Sequence, residues 1–560
     1  MFGRESVLSD RCLRPGTRFD GGKENCAKAM PSLTINGKKI EAAAGRTLLE
    51  VALENGIYIP HFCYHPRLKV AGNCRMCLVE IEKMPKLQIS CATRVAEGMV
   101  VHTESERVKK ARRAIMEFLL INHPLDCTVC DECGECRLQD YSFQYGRSRS
   151  RYREPKRRFP RLDIGPDVVR DMNRCIHCTR CIRFLRDLAG DEEFCLSERG
   201  PRVEVGTFLQ TPIRNQFSLN LAEVCPVGAL TSRHFRFQGR PWLMQKVRTI
   251  CTGCSRGCNA WAWISQGRLV RLTPAPNEEV NLCWLCNPGH MTIKQPAGAD
   301  RPLEVKPQNG LQELESRLVE RVAGGGGRRV GLALGADLTN EEIYLLCRMA
   351  REFLETPFLL YRSCSESRPF LAAERPLKEW FIRALPANQR GLQDLARHFG
   401  YRPLDEGLAE TFSNVEALIW IGEDRQLWQM LEPLAGRVEI LLALSCRLGP
   451  WSERAQVVLP LAHAYEKDGT LSNEAGRVQR LRRVLEPAGE AQTAWEWIMT
   501  LAPRLGLKWK YRSFEEIYLE IAASLPGYEN QLLLLGDEGL QKRAGEGAKD
   551  AAMAADSCKQ

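Results

Sequence analysis

Thiols set three residues apart are the chemistry this chain shows first. Two cysteines in a C-x2-C loop converge on one metal without straining the backbone, and four such ligands complete a tetrahedral ion or an iron–sulfur cluster. Of the 24 cysteines, twenty stand before residue 290, and many keep this spacing. The pattern suits metal binding in a reducing compartment better than a secreted disulfide framework.

Four groups emerge. Cys63, Cys74, Cys77 and Cys91 read C-x10-C-x2-C-x13-C, and Gly72 is placed to let the backbone pass close to inorganic sulfide. A zinc ribbon would show two close pairs. One pair and two single cysteines instead match the plant-type [2Fe–2S] layout with a longer first gap. His123, Cys127, Cys130 and Cys136 read H-x3-C-x2-C-x5-C, but Cys133 intrudes and gives C-x2-C-x2-C-x2-C over the same stretch. Spacing leaves His123 and Cys133 both open, since a histidine before a proline also serves as a helix terminator. Cys175, Cys178 and Cys181 open a bacterial ferredoxin motif whose Cys-Pro arrives only at Cys225-Pro226, with Cys195 as the competing fourth ligand. Cys251, Cys254, Cys258 and Cys286 form C-x2-C-x3-C-x27-C, with Cys283 close enough to replace the last. That spacing is similar to the [4Fe–4S] site at the start of molybdopterin oxidoreductases.

The elements that position these ligands are short. Residues 1–29 read as a disordered extension, because they mix acids with arginines and hold no apolar run; Cys12 and Cys26 then have no role. Asn36-Gly37 favours a type I′ turn between Leu33–Ile35 and Lys38–Glu41. Thr47 and Glu50 form a capping box for a helix through Leu53, which Gly56 can close. Hairpin, helix, then a cysteine loop predicts a β-grasp ferredoxin domain over 30–108. A second helix is expected from about Thr103 to Asn122, with Val108, Ala111, Ile115 and Phe118 on one face and His123-Pro124 at its end. The His/Cys group falls in 109–150, the ferredoxin-like group in 151–245 and the last group in 246–300. All three segments are poor in periodic structure and so are expected to fold around metal.

After about residue 300 the character changes. Gly324–Gly327 reads as a flexible joint. The apolar runs Val330–Leu334, Ala417–Ile421, Ile440–Leu444 and Val457–Leu459 alternate with helical stretches. They predict an α/β domain with a mainly parallel sheet over 301–535, followed by a disordered tail over 536–560. Cys347, Cys364 and Cys446 read as small buried side chains there. The fold class is therefore multidomain α/β.

Composition closes off other classes. With 44% hydrophobic and 26% charged residues in 560, the chain can bury several cores. No run of about 18 apolar residues exists to span a membrane. No G-x-G-x-x-G follows a strand and no P-loop occurs, so dinucleotide chemistry belongs elsewhere. Arg147 to Arg161 holds eight basic residues against Glu154. That run is either solvated surface or electrostatic support for anionic reduced clusters; nucleic-acid binding is disfavoured, because the run lies between ligand groups.

Several phrases carry a family resemblance: Cys63-Tyr-His-Pro, Ala71-Gly-Asn-Cys-Arg-Met-Cys, His123-Pro-Leu-Asp-Cys, Cys175-Ile-His-Cys-Thr-Arg-Cys and Cys225-Pro-Val-Gly-Ala-Leu. With the four groups in this order, the chain resembles the large iron–sulfur subunit of respiratory complex I, the NADH:quinone oxidoreductase, over roughly 31–300. Glu466 to Gln479 is similar to a stretch of molybdopterin-type oxidoreductase domains. The resemblance implies one [2Fe–2S] cluster on Cys63, Cys74, Cys77 and Cys91. It implies three [4Fe–4S] clusters, on His123, Cys127, Cys130 and Cys136, on Cys175, Cys178, Cys181 and Cys225, and on Cys251, Cys254, Cys258 and Cys286. Family members carry a glycine where Cys133 stands, and Asn287-Pro288-Gly289 replaces the usual Asp-Lys-Gly.

On this resemblance the chain relays single electrons from the FMN of an NADH-binding flavoprotein partner toward quinone. A small [2Fe–2S] subunit and ferredoxin-like and quinone-module subunits complete the assembly, peripheral on the cytoplasmic side of the bacterial inner membrane. No catalytic residue and no molybdopterin are expected in the chain. The competing readings are a diaphorase-type subunit of an NAD-linked hydrogenase or formate dehydrogenase, and a zinc-binding scaffold.

Overall fold

The Asn36-Gly37 turn forms as its residues require, with φ of 50° and 86°. It closes β1 (Ser32–Ile35) against β2 (Lys38–Glu41) in the expected register. A computed structural model describes residues 30–528, apart from 193, 308–309, 324–325, 363–376, 378–384, 405–411 and 413. The expectations for 1–29 with Cys12 and Cys26, for Gly324 and Gly325, for Cys364 and for the 536–560 tail lie outside the described residues.

The capping box is present: Thr47 N–H donates to Glu50 Oε2 at 3.0 Å, and Glu50 N–H donates to Thr47 Oγ1 at 3.3 Å. It opens α1 (Leu48–Glu54). β3 (Leu78–Ile81), β4 (Gln88–Ile89) and β5 (Met99–His102) complete a sheet in the order β2-β1-β5-β3-β4. β1 and β5 run parallel, and α1 packs Leu48, Leu49, Val51 and Ala52 into the core with Leu33, Ile35, Val79 and Val101. This is the β-grasp arrangement.

α2 (Glu106–Leu120) departs from its predicted face. The buried stripe is Val108, Arg112 and Met116, and Phe118 is 74% exposed. The guanidinium of Arg112 is enclosed because it donates to Glu104 Oε1 at 2.5 Å and to Leu78 O at 3.2 Å. It also donates at 3.0 Å to Tyr145 OH at the end of α3 (Arg137–Tyr145). Hydrophobic periodicity is blind to a cation buried by its hydrogen bonds.

The next segment is built from short pieces: β6 (Arg161–Asp163), β7 (Val168–Asp171), α4 (Arg180–Phe184), β8 (Phe194–Ser197), β9 (Glu204–Thr207), α5 (Asn220–Val224) and β10 (Leu230–Ser232). They form a three-stranded sheet β10-β7-β6 and a hairpin β8–β9. One compact unit runs to Met244 and a second begins at Gln245.

The second unit starts with an antiparallel sheet of β11 (Gln245–Ile250), β12 (Asn259–Ser265) and β13 (Arg268–Pro274), then α6 (Asn287–Met291). Next come α7 (Gly310–Ala323), β14 (Val330–Leu334), α8 (Asn340–Arg348), β15 (Leu359–Leu360) and α9 (Gln389–His398). They lead into β16 (Ala417–Ile421), α10 (Arg425–Ala435), β17 (Ile440–Ser445), α11 (Pro450–Arg454) and β18 (Val457–Pro460). All four predicted runs are strands of one parallel sheet, ordered β15-β14-β16-β17-β18. Successive residues enter opposite cores: Leu332, Ile421 and Leu442 face one, and Ala333, Trp420 and Ala443 the other. Burial on both faces is why the runs are continuous rather than alternating. A hairpin of β19 (Gly469–Ser472) and β20 (Val478–Leu481) follows, then α12 (Ala494–Leu505) and α13 (Phe514–Ser524). Cys347 is fully buried; Cys446 is buried too, but its Sγ donates to Glu423 Oε1 at 2.7 Å. Among the described residues no helix is long and apolar enough to cross a membrane.

Candidate metal centres

The first site hangs on the β-grasp sheet. Cys77 stands just before β3 and Cys91 just after β4, and Cys63 and Cys74 come from the loop between α1 and β3. Cys63 N–H donates to Cys74 Sγ at 3.4 Å. The thiols of Cys74 and Cys91 both contact that of Cys63, and Cys91 also contacts Cys77, which it holds down to about 7. Gly72 has φ of 62°, and a Cβ there would stand 3.1 Å from Ile89 Cδ1. Its glycine is thus explained by backbone handedness and the Ile89 side chain.

The third site is a cavity. Cys175, Cys178, Cys181 and Cys225 line it together with apolar neighbours such as Met172 and Val205. His177 and Thr179 take left-handed φ of 52° and 61°, which turns the chain between successive cysteines. Burial pushes the Cys175 thiol up to about 12. Cys181 is raised by burial and then by Cys178, Cys175 and Cys225. Cys195 instead sits in β8 opposite Gly206 of β9. Four thiols around an apolar cavity fit a [4Fe–4S] cluster better than a hydrated ion.

At the second site Cys127 opens a 3-10 turn and Cys136 caps α3. Cys127 and Cys133 are electrostatic neighbours, as are Cys130 and Cys136. His123, Cys127 and Cys130 share Asp126 and Arg174 as charged neighbours. His123 Nδ1 is buried without a hydrogen-bond partner, and burial holds the imidazole down to about 4. A neutral ring with an unused nitrogen is in the state that binds metal. The basic run is largely exposed surface, but part of it is tied down. Arg151 grips Glu117 at 2.6 and 2.7 Å, Arg157 N–H donates to Asn122 Oδ1 at 3.1 Å, and Lys156 donates to the His123 carbonyl. It straps the His123 turn to the end of α2.

Each of these three sites touches the other two: Arg137, next to Cys136, lies 2.9 Å from His61 Nε2, which joins the second site to the first. Arg183 donates to Cys63 O at 2.6 Å and to Cys178 O at 3.2 Å, joining the first site to the third. Asn73 Nδ2 adds a bond to His177 O at 3.0 Å. Gly228, in the turn after Cys225, lies against Cys130 and joins the third site to the second.

The fourth site belongs to the second unit. Cys251 N–H donates to Cys258 O at 2.7 Å between β11 and β12, and Cys286 Sγ caps α6 by accepting from Gly289 N–H at 3.2 Å. Cys251 and Cys258 are raised by burial and then by neighbouring thiols that include Cys254 and Cys286. The stretch Glu466 to Gln479 clamps this loop. Gln479 Nε2 donates to Gly257 O at 2.5 Å, Glu474 N–H to Ser255 O at 2.8 Å, and Ser255 Oγ to Glu474 Oε2 at 3.2 Å. Sequence reasoning saw that stretch as a motif without this role, because its partners lie about 220 residues earlier. Among the described residues no three Cys, His, Asp or Glu side chains converge on a single ion. Thiolates that bind separate irons of a cluster need no common focus.

Comparison with known proteins gives the sites their kinship. Residues 28–106 match a family described as a 2Fe-2S iron–sulfur cluster binding domain. Residues 112–151 match the NADH-ubiquinone oxidoreductase-G iron–sulfur binding region, and residues 165–231 the ferredoxin-like domain of NADH-quinone oxidoreductase subunit 3. The NADH-quinone oxidoreductase G subunit of Rickettsia conorii is 46% identical over 256 residues, 46% of this chain and 38% of that protein. Over about half its length the chain is similar to NADH-quinone oxidoreductase G subunits. The mitochondrial 78 kDa subunit of the NADH-ubiquinone oxidoreductase of Candida albicans is 47% identical over 280 residues, covering 50% of this chain and 39% of that one. The chain thus spans about two-fifths of the length of these two relatives. Residues 412–504 match the molybdopterin oxidoreductase family. A chain of an NAD+-reducing [NiFe]-hydrogenase is 31% identical and covers 38% of this one and is itself 91% covered, with a TM-score of 0.35.

Proposed function

We propose that this chain is an electron-relaying iron–sulfur subunit of an NADH:quinone oxidoreductase. The reading assigns one [2Fe–2S] cluster to Cys63, Cys74, Cys77 and Cys91. It assigns [4Fe–4S] clusters to His123, Cys127, Cys130 and Cys136, to Cys175, Cys178, Cys181 and Cys225, and to Cys251, Cys254, Cys258 and Cys286. One observation supports it above others: three ligand sets abut through Arg183 and Gly228. Bound clusters would supply one-electron acceptance and donation. The chain's own residues hold the thiolates, exclude water and fix the spacing.

The domain boundaries proposed from the sequence place one cluster in each of 30–108, 109–150, 151–245 and 246–300, with 301–535 a scaffold that binds no molybdopterin. Hydride from NADH is taken by FMN on a flavoprotein partner, this chain passes the electrons toward a ferredoxin-like subunit and finally quinone, and a small [2Fe–2S] subunit and quinone-module subunits complete the assembly. The assembly sits on the cytoplasmic side of the bacterial inner membrane.

Anaerobic purification, metal quantitation and EPR after reduction test the reading. About 14 irons per chain, with one two-iron and three four-iron signals, are expected. A colourless protein containing only zinc ends it, and stoichiometric molybdenum or tungsten overturns the scaffold assignment.

A further inference from the structure

Two arginines of α4 stand between the first and third sites. Arg183, 6% exposed, donates to Cys63 O and Cys178 O and, at 2.5 Å, to Lys69 O. Arg180, 5% exposed, donates to Tyr64 O, beside Cys63, and at 3.4 Å to Val224 O, beside Cys225. Each guanidinium therefore bonds the ligand loops of both sites, Arg180 with one arm on each and Arg183 through Nη2 alone. Among the described residues no carboxylate comes within ion-pair distance of either. Arg174, near the junction of the third and second sites, contrasts with them: it pairs with Asp126 at 2.5 Å and Asp171 at 3.6 Å.

Asp187 acts on Arg183 only from beyond ion-pair distance, and enclosing two cations without a paired counter-charge is costly unless something anionic faces them. Neutral carbonyls and the Thr179 hydroxyl take most of their N–H groups but leave the charge, and Arg180 Nε is buried without a partner. Each one-electron reduction adds a negative charge at a cluster, in an interior where charges are weakly screened.

We infer that Arg180 and Arg183 are a shared counter-charge for the first and third sites, raising the reduction potentials of both clusters together. They are positioning residues, bonded to no reacting atom. The inference rests on the cluster assignment above, and failure of the unsubstituted chain to load clusters at these sites would sink that assignment rather than this role.

The test is a potentiometric EPR titration of the full chain, loaded anaerobically. In R183Q the ratio of reduced to oxidised cluster at a fixed potential should fall about tenfold at both sites, ~59 mV for a one-electron couple. The second and fourth sites should hold their potentials. R183K keeps the charge and should hold all four. R180Q repeats the test through different carbonyls. Intact clusters with unmoved potentials in R183Q overturn the inference, as does a fall at one site alone or an equal fall in R183K. Should neither neutral variant load its clusters, R183K decides: potentials held at both sites support the shared charge, and a joint fall overturns it.

Discussion

The sulfur of Cys130 packs against the bare α-carbon of Gly228, where any side chain would overlap it. A ligand of the second site thus rests on the turn that follows the last ligand of the third. Gly228→Ala should push Cys130 off its iron, with loss of up to about four irons per chain and of the second-site EPR signal. The first-site signal should survive. Full iron content with an unchanged second-site spectrum would show that this contact is dispensable.

His123 and Cys133 compete for one place. His123→Ala should perturb the second-site cluster and Cys133→Ser should leave it intact, read by EPR line shape and potential. A neutral imidazole in place of an anionic thiolate raises a cluster's potential, so takeover by Cys133 in His123→Ala would register as a lower potential. The reverse pattern of sensitivity assigns the ligand to Cys133.

Gln479 fastens the fourth-site loop through Gly257 O, and its amide also lies 3.5 Å from Asn259 Nδ2. Gln479→Ala leaves a buried carbonyl unpaired, at a cost of about 1–3 kcal/mol. Iron should fall by about four per chain while the signals of the other three sites persist. Loss spread over all sites would mean that the substitution acts on folding in general.

Glu423 gives a pH signature independent of any metal. Burial first, and the Asp337 carboxylate next, push its carboxyl up to about 7, against about 4.3 in an unfolded chain. A folded value above the unfolded one means that its contribution to stability is complete below about 4.3 and is lost as pH rises through 7. Glu423→Gln removes that loss. Its urea midpoint, followed by fluorescence of the stacked Trp420 and Trp451, should gain on the unsubstituted chain between pH 5 and pH 8. A difference that does not change with pH would rule out this titration.

Local chemistry was legible in the sequence, and long-range packing was not. Asn36-Gly37, Thr47 with Glu50 and the four apolar runs each encode their structure within a few residues, and each forms as expected. Arg112 misled because an arginine reads as surface until Glu104 and Tyr145 enclose it. The grouping of Cys225 with Cys175, Cys178 and Cys181 was suggested by one proline, and the cavity brings those four together. The adjacency of first and third sites had no local signal at all: it is made by Arg180 and Arg183, which in the sequence are two more basic residues beside a cysteine motif.

The order of the proposed ligands along the chain also bears on how the protein is made. On the proposed assignment the first site has every ligand by Cys91, before the rest of the chain is made. The second site has its ligands by Cys136 but lacks its wall until Gly228 is in place, and the third waits for Cys225. The fourth, complete in ligands at Cys286, is not clamped until Gln479 emerges. On the proposed assignment the ligands thus become available in steps as the chain lengthens, and a chain ending near residue 200 would hold all four first-site thiols but lack Cys225 and Gly228.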